Sequence, residues 1–210
     1  MIGQSIAAAQ QLRLWATEPK ALWTCSDDYE TPEPEAKQLA ALVGNPYGAV
    51  IDAGAGTGNI SRFLPKGTIC LETNPLRLAM GRDRAAHCEW VKDDFTLWSP
   101  KRHGLNYVSV VAGNPPFSLA LDFINHALSI IHPHYGRVVF ILPSDTFNKV
   151  HIQNGICFPY RISRVVYLKG RVSYLKNGKP QSGRQIADNI WTIQHEIGAE
   201  FSRRPTIGKS

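Results

Sequence analysis

The sequence predicts an α/β fold, a seven-stranded mixed sheet with helices on both faces. Three observations predict it. Short apolar runs alternate with amphipathic stretches along most of the chain, the pattern of strands joined through helices. One such run, Ala49-Val50-Ile51-Asp52, leads straight into Gly54, Gly56 and Gly58. Another, Tyr107 to Ala112, leads into Asn114-Pro115-Pro116-Phe117, which begins 56 residues after Gly58. Special loops at the carboxyl ends of strands are where open α/β sheets bind ligands.

The elements follow in order. Ile6 to Trp15 reads as a leading helix. Pro32, Pro34 and their neighbouring acids start a second helix over about Glu35 to Val43. Strands are expected at Ala49–Asp52, Thr68–Glu72, Glu89–Lys92, Tyr107–Ala112, Arg137–Leu142, Ile162–Leu168 and Asn189–His195. Helices fill the gaps at Asn59–Phe63, Pro75–Ala86 and Leu119–Ile131; in the last, Leu121, Ile124, Leu128 and Ile131 recur at helical spacing. The last two strands are expected to pair antiparallel. The tail from Ser202 is basic and expected to fray.

At 210 residues, 43% hydrophobic and 19% charged, the chain has the composition of one ordinary globular domain spanning 1–210. Within it, residues 1–28 are expected to form a helical extension and residues 169–188 a basic loop, the candidate target-recognition element. No apolar run reaches the roughly 20 residues of a membrane span, and Met1 to Ala16 lacks the layout of a signal peptide. The expected location is the cytoplasm. Cys25, Cys70, Cys88 and Cys157 are widely spaced without a CxxC pair and read as free buried thiols. The seven histidines form no H-x-x-x-H pair, and His132-Pro133-His134 reads as a loop after a helix. No metal is expected, and a monomer is.

The net charge of +6 is unevenly spread. Tyr160 to Ala187 holds Arg161, Arg164, Lys169, Arg171, Lys176, Lys179 and Arg184 and no acid; the rest of the chain keeps 16 basic residues against 17 acidic ones. Such a stretch is either a solvated loop or an attractor of polyanions through a salt-sensitive, sequence-independent term. With Tyr167 and Tyr174 interleaved, we read it as nucleic-acid binding, carried by Lys169, Arg171, Tyr174, Lys176, Lys179 and Arg184.

The glycines after the first strand let the backbone turn sharply and let a ligand approach the main chain. A dinucleotide fingerprint would need Gly at position 59, where this chain has Asn59. The strand-end carboxylate of Asp52 suits a cationic ligand, and S-adenosylmethionine carries a sulfonium and an ammonium. Glu72, 16 residues after Gly56, ends the second strand, where a carboxylate can accept from both hydroxyls of a ribose. Asp94 after the third strand is either a helix cap or an acceptor from the cofactor's adenine amine with Phe95 against the ring; we favour the latter. Tyr29 and Thr31, in Tyr29-Glu30-Thr31-Pro32, either start a helix or cover the methionine moiety. The cofactor-binding set is therefore Tyr29, Thr31, Asp52, Gly54, Gly56, Glu72, Asp94, Phe95 and Asn114.

The reaction side is Asn114-Pro115-Pro116-Phe117. The amine of adenine is a poor nucleophile because its lone pair is delocalised into the ring. Two acceptors facing its hydrogens favour the pyramidal form that attacks. Asn114 supplies a side-chain carbonyl and Pro115 a backbone carbonyl, while Pro115 and Pro116 fix φ and remove competing donors. Phe117 offers a stacking face. A duplex base must be flipped out to reach such a pocket.

The set Tyr29-x-Thr31-Pro32, Asp52-x-Gly54-x-Gly56-x-Gly58, Glu72, Asp94-Phe95 and Asn114-Pro115-Pro116-Phe117 resembles the class I S-adenosylmethionine-dependent amino-methyltransferases. It is most similar to DNA adenine-N6 methyltransferases of the phage and prophage type, over about Tyr29 to His195. The resemblance implies DNA methylation in a bacterial or phage-infected cell, as in restriction-modification. It also implies S-adenosylmethionine as methyl donor, a cofactor role for the glycine loop and a target-amine role for the four-residue motif. Two departures stand out. The chain leaves no room for a large target-recognition domain, only Lys169 to Asp188, which implies a short or relaxed recognition sequence. Asp52-Ala53 replaces the Asp-Pro of many members. RNA base methyltransferases (adenine N6 or guanine N2) and protein-glutamine methyltransferases carry close variants of the tetrapeptide and remain alternatives, as does a non-catalytic nucleic-acid-binding module.

Overall fold

Every residue of β1 (Val50–Ala53) is buried, and burial on both faces fixes this strand at the centre of a parallel sheet. The computed structural model describes residues 29–169, 172–176, 179–180 and 187–196. Around β1 stand β2 (Ile69–Leu71), β3 (Glu89–Val91), β4 (Val110–Gly113), β5 (Arg137–Pro143), β6 (Tyr160–Tyr167) and β9 (Asp188–His195). They form a seven-stranded sheet in the order β3-β2-β1-β4-β5-β9-β6. β1 to β5 run parallel, and β9 lies antiparallel between β5 and β6. The expected antiparallel pairing of the last two strands is present, and β9 also wedges itself against β5. A two-stranded ribbon, β7 (Leu175–Lys176) with β8 (Lys179–Pro180), stands apart from the sheet.

The helices are α1 (Glu33–Val43), α2 (Pro75–Arg84), α3 (Ala120–Ile130) and the short α4 (Val150–Gly155). Period-two alternation sends Val50, Val110, Val139 and Ile141 to one face, against Ala36, Leu39 and Val43 of α1. Ile51, Val111, Val138 and Phe140 point the other way, against Phe123, Ile124 and Leu128 of α3. Each such fully buried aliphatic contributes about 1.5–3 kcal/mol of transfer free energy. The apolar face of α3 is centred on Phe123, Ile124, Ala127 and Leu128, with Leu121 on its rim.

Several boundaries differ from the sequence expectation for identifiable reasons. Asn59–Phe63 is not an α-helix but one 3₁₀ turn, Ser61–Phe63; Pro65 holds Leu64 extended (φ −81°, ψ 162°) and ends it. α2 stops at Arg84, because the Trp90 indole N–H donates to the Ala85 carbonyl that another turn would use (3.1 Å). Tyr107 lies outside β4 and is exposed. β6 starts at Tyr160, two residues early, with a register irregularity between Ile162 and Arg164. Cys157 is exposed on the turn after α4, so the expected burial of the cysteines fails there; Cys70 is buried and Cys88 half-buried. The leading helix, the 1–28 extension, Cys25 and the tail from Ser202 lie outside the described residues. Among the described residues no helix is long and apolar enough to cross a membrane, and no group of three or more His, Cys, Asp or Glu could hold a metal ion.

After β3 the chain returns to the opposite side of β1 to enter β4. Neighbouring strands thus leave in opposite directions, opening a crevice at their carboxyl ends. The close approach there depends on Gly113: its φ is 153°, and an added Cβ would lie 2.6 Å from the Ala53 carbonyl oxygen.

Candidate active site

β1 delivers the glycine loop into the crevice. Gly54 and Gly56 have φ of 68° and 57°, and a Cβ on Gly56 would meet nothing, so this stretch of main chain faces open space. Gly58 serves packing instead: a Cβ there would press on the Gly81 backbone of α2 and on Trp90. The loop is braced from β2. The Glu72 carboxylate accepts from the main-chain N–H of Gly56 (2.8 Å) and of Asn74 (2.7 Å). Burial raises its pKa above the ordinary carboxylate value, against the lowering effect of those bonds. Both oxygens keep lone pairs for further donors.

Asp52 is fully buried beneath the loop rather than on a cavity wall. Its carboxylate accepts from Ser61 Oγ (2.5 Å), while its other oxygen has no partner among the described residues. Burial lifts its pKa to about 7; the Ser61 bond opposes this and the Glu72 charge adds to it. Asp94 is exposed and caps the 3₁₀ turn Phe95–Leu97, accepting from Thr96 N and Thr96 Oγ1, both at 2.8 Å. Phe95 lies in the core against Phe123 (5.0 Å between centroids) and edge-on to His126. The cap is thus formed at Asp94, and the Phe95 ring is held under α3.

Two cavities meet in the crevice. The larger holds about 340 Å³ of empty space, partly open to solvent, and is walled by the main chain of Gly54 to Thr57, by Tyr29-Glu30-Thr31, and by Asn59 and Arg77. The smaller, of about 220 Å³, is walled by Asn114-Pro115-Pro116-Phe117 with Tyr29 and Tyr174. Tyr29 and Asn114 belong to both. Asn114 therefore stands at the junction. Its Nδ2 donates to Thr31 Oγ1 (3.1 Å), and its Oδ1 is buried without a partner among the described residues. The buried acceptor is thus left for a donor that the described residues do not supply.

Tyr174 is where sequence and geometry part most. It is not a surface residue of the basic loop but is buried, 5.9 Å from the Tyr29 ring and 6.1 Å from Phe117, edge-on. Its hydroxyl donates to Asp188 Oδ2 (2.7 Å), tying the two ends of the loop. Main-chain bonds between Glu30 and Leu175 (2.8 and 3.0 Å) join that loop to the Tyr29–Thr31 segment. Lys169 and Lys179 are exposed, as are Arg161 and Arg164 on the edge strand β6. Arg171 and Arg184 lie outside the described residues, as does the side chain of Lys176.

Sequence reasoning missed Glu30, Asn59, Arg77 and Arg84. Asn59 Nδ2 donates to the Thr31 carbonyl (3.1 Å), and Arg84 reaches Thr57 Oγ1 (2.9 Å) and Asn59 Oδ1. The available signal was the seven-residue spacing of Arg77 and Arg84, which puts both on one face of α2.

No family model matches the chain, and no curated protein matches it. Solved structures do. A Pyrococcus horikoshii protein with a provisional assignment as an RNA methyltransferase superposes with a TM-score of 0.62 at 18% identity, over 80% of this chain and 87% of the other. A type I restriction-modification methyltransferase subunit of Streptococcus thermophilus gives 0.62 at 14%, over 80% of this chain and 45% of the other, so the chain spans about half of that subunit. A TehB-like S-adenosylmethionine-dependent methyltransferase of Corynebacterium glutamicum gives 0.53 at 12%, over 92% and 99%. At these identities the likeness establishes the fold, the Rossmann-like sheet of class I methyltransferases.

Proposed function

We propose that this chain is an S-adenosylmethionine-dependent methyltransferase acting on the N6 amine of adenine in DNA. One observation carries the reading: Asn114 stands between two cavities with its carbonyl oxygen buried and without a partner among the described residues. The larger cavity fits a methyl donor of this kind, because bare glycine main chain lines it and Glu72 braces the loop. Bound there, S-adenosylmethionine supplies an electrophilic methyl carbon on a sulfonium.

The protein's part is to hold and sharpen the nucleophile. Asn114 Oδ1 accepts one hydrogen of the target amine and the Pro115 carbonyl the other, drawing the nitrogen lone pair out of conjugation. The base stacks on Phe117 in the smaller cavity, which Tyr174 also lines, and that stacking returns about 1–3 kcal/mol against a flipping cost of a few kcal/mol. Asn114 and Pro115 would thus present the nitrogen lone pair toward the larger cavity, where a bound donor would supply a methyl group whose bonding pair stays on sulfur while the amine's spare proton goes to solvent.

DNA as the polymer is supported by the Tyr29-x-Thr31-Pro32 element, by the exposed Arg161, Arg164, Lys169 and Lys179, and by the likeness to restriction-modification subunits. RNA is the second reading, supported by the Pyrococcus neighbour and its near-complete coverage. The test is incubation with labelled S-adenosylmethionine and either unmethylated DNA or ribosomal RNA, followed by nucleoside analysis. N6-methyldeoxyadenosine is the expected product. Label in RNA alone moves the assignment to RNA, and label in neither, with cofactor bound, rejects it.

A further inference from the structure

Among the described residues, the cofactor cleft has two charged side chains on its wall, Glu30 and Arg77; the rest of its lining is glycine, alanine, hydroxyl and amide residues together with Ile60 and the Tyr29 ring. They come from different elements. Arg77 is the third residue of α2, and Arg84, on the same helical face, fixes the helix to the glycine loop through Thr57 and Asn59. Because α2 starts at the carboxyl edge of the sheet, Arg77 stands nearer the mouth of the crevice than Arg84. Burial draws its guanidinium partly out of water, where its charge acts more strongly than in bulk solvent. Glu30 is held by main-chain pairing to Leu175, and among the described residues its carboxylate takes only a long contact from Asn59 Nδ2 (3.4 Å).

A wall with one fixed cation and one fixed anion complements a zwitterion. We propose that Arg77 and Glu30 recognise the amino-acid end of the methyl donor, Arg77 taking its α-carboxylate and Glu30 its α-ammonium. This rests on the methyltransferase reading. The guanidinium fork suits a carboxylate in a two-pronged geometry that an ammonium side chain does not offer. The pair thus discriminates intact S-adenosylmethionine from adenosyl thioethers and sulfoniums lacking one or both charges.

The test compares dissociation constants, not turnover, for four compounds: S-adenosylmethionine, S-adenosylhomocysteine, decarboxylated S-adenosylmethionine and 5′-methylthioadenosine. Arg77→Met is expected to weaken the first two by about 10- to 100-fold. It should leave the last two, which lack the carboxylate, unchanged within about threefold. Glu30→Gln should weaken the three that carry the ammonium and spare 5′-methylthioadenosine. Unchanged 5′-methylthioadenosine binding also reports an intact fold. Equal weakening of all four by Arg77→Met, or of none, overturns the inference and leaves the methyltransferase reading standing. Failure of the unaltered protein to bind any of the four overturns both.

Discussion

The side-chain amide of Asn114 is oriented by Thr31, whose hydroxyl accepts from Asn114 Nδ2 at 3.1 Å across 83 residues of sequence. An amide held by its nitrogen has its carbonyl aimed elsewhere, here into the junction of the two cavities. Thr31 is held in turn by Asn59. Thr31→Val keeps the shape and removes the acceptor, so the amide can rotate. We expect kcat to fall about 10- to 100-fold, the value of one oriented hydrogen bond, with cofactor affinity changed little. Thr31→Ser should restore kcat. Stopped-flow turnover and titration of S-adenosylhomocysteine separate the two quantities.

Asp52 makes stability depend on pH in an unusual direction. Its folded-state pKa of about 7 lies above the ordinary value of 3.8, so folding favours the neutral acid. Its contribution is fully present below about pH 4 and is lost as pH rises through 7. Asp52→Asn mimics the neutral acid and still accepts from Ser61. Urea unfolding of the cofactor-free protein between pH 5 and pH 8 should show the unaltered chain losing about 3 kcal/mol relative to the variant. Parallel curves would remove Asp52 as the cause.

Tyr174 joins the base pocket to the loop ends through its bond to Asp188, both residues being buried. Tyr174→Phe keeps the ring beside Phe117 and loses the bond to the buried Asp188 carboxyl group. A loss of about 1–3 kcal/mol in stability is expected, seen as a lower Tm. The KM for DNA should rise more than the dissociation constant of S-adenosylhomocysteine. Equal changes in both would mean that the bond supports the fold without shaping the target pocket.

The sheet was legible because its signals are local and strong. Val50-Ile51 and Val110-Val111 are buried on both faces and read as unbroken apolar runs, and the glycines and prolines that end them are visible in sequence. The β7–β8 ribbon was also announced, by Asn177-Gly178 between its strands, but two-residue strands carry too little pattern to register. The six residues of α4 were too few to show a period. What sequence could not supply was the partner of each polar group. Asp52 and Glu72 have similar positions at strand ends, yet one lies sealed beneath the loop and the other braces it. Asp94 satisfied the cap that its local sequence offered, and Phe95 followed α3 into the core. Tyr174 sits in a basic stretch but points inward, because its ring packs with Tyr29 and Phe117 and its hydroxyl finds Asp188. These outcomes depend on contacts between segments far apart in the chain.

The most direct measurement is nucleoside analysis of DNA from cells expressing the unaltered protein or Asn114→Ala, each verified as folded and able to bind S-adenosylhomocysteine. N6-methyldeoxyadenosine above background is expected with the unaltered protein and none with the variant. Equal amounts from both, or a different methylated base that persists in Asn114→Ala, would overturn the assignment of Asn114 to the target amine.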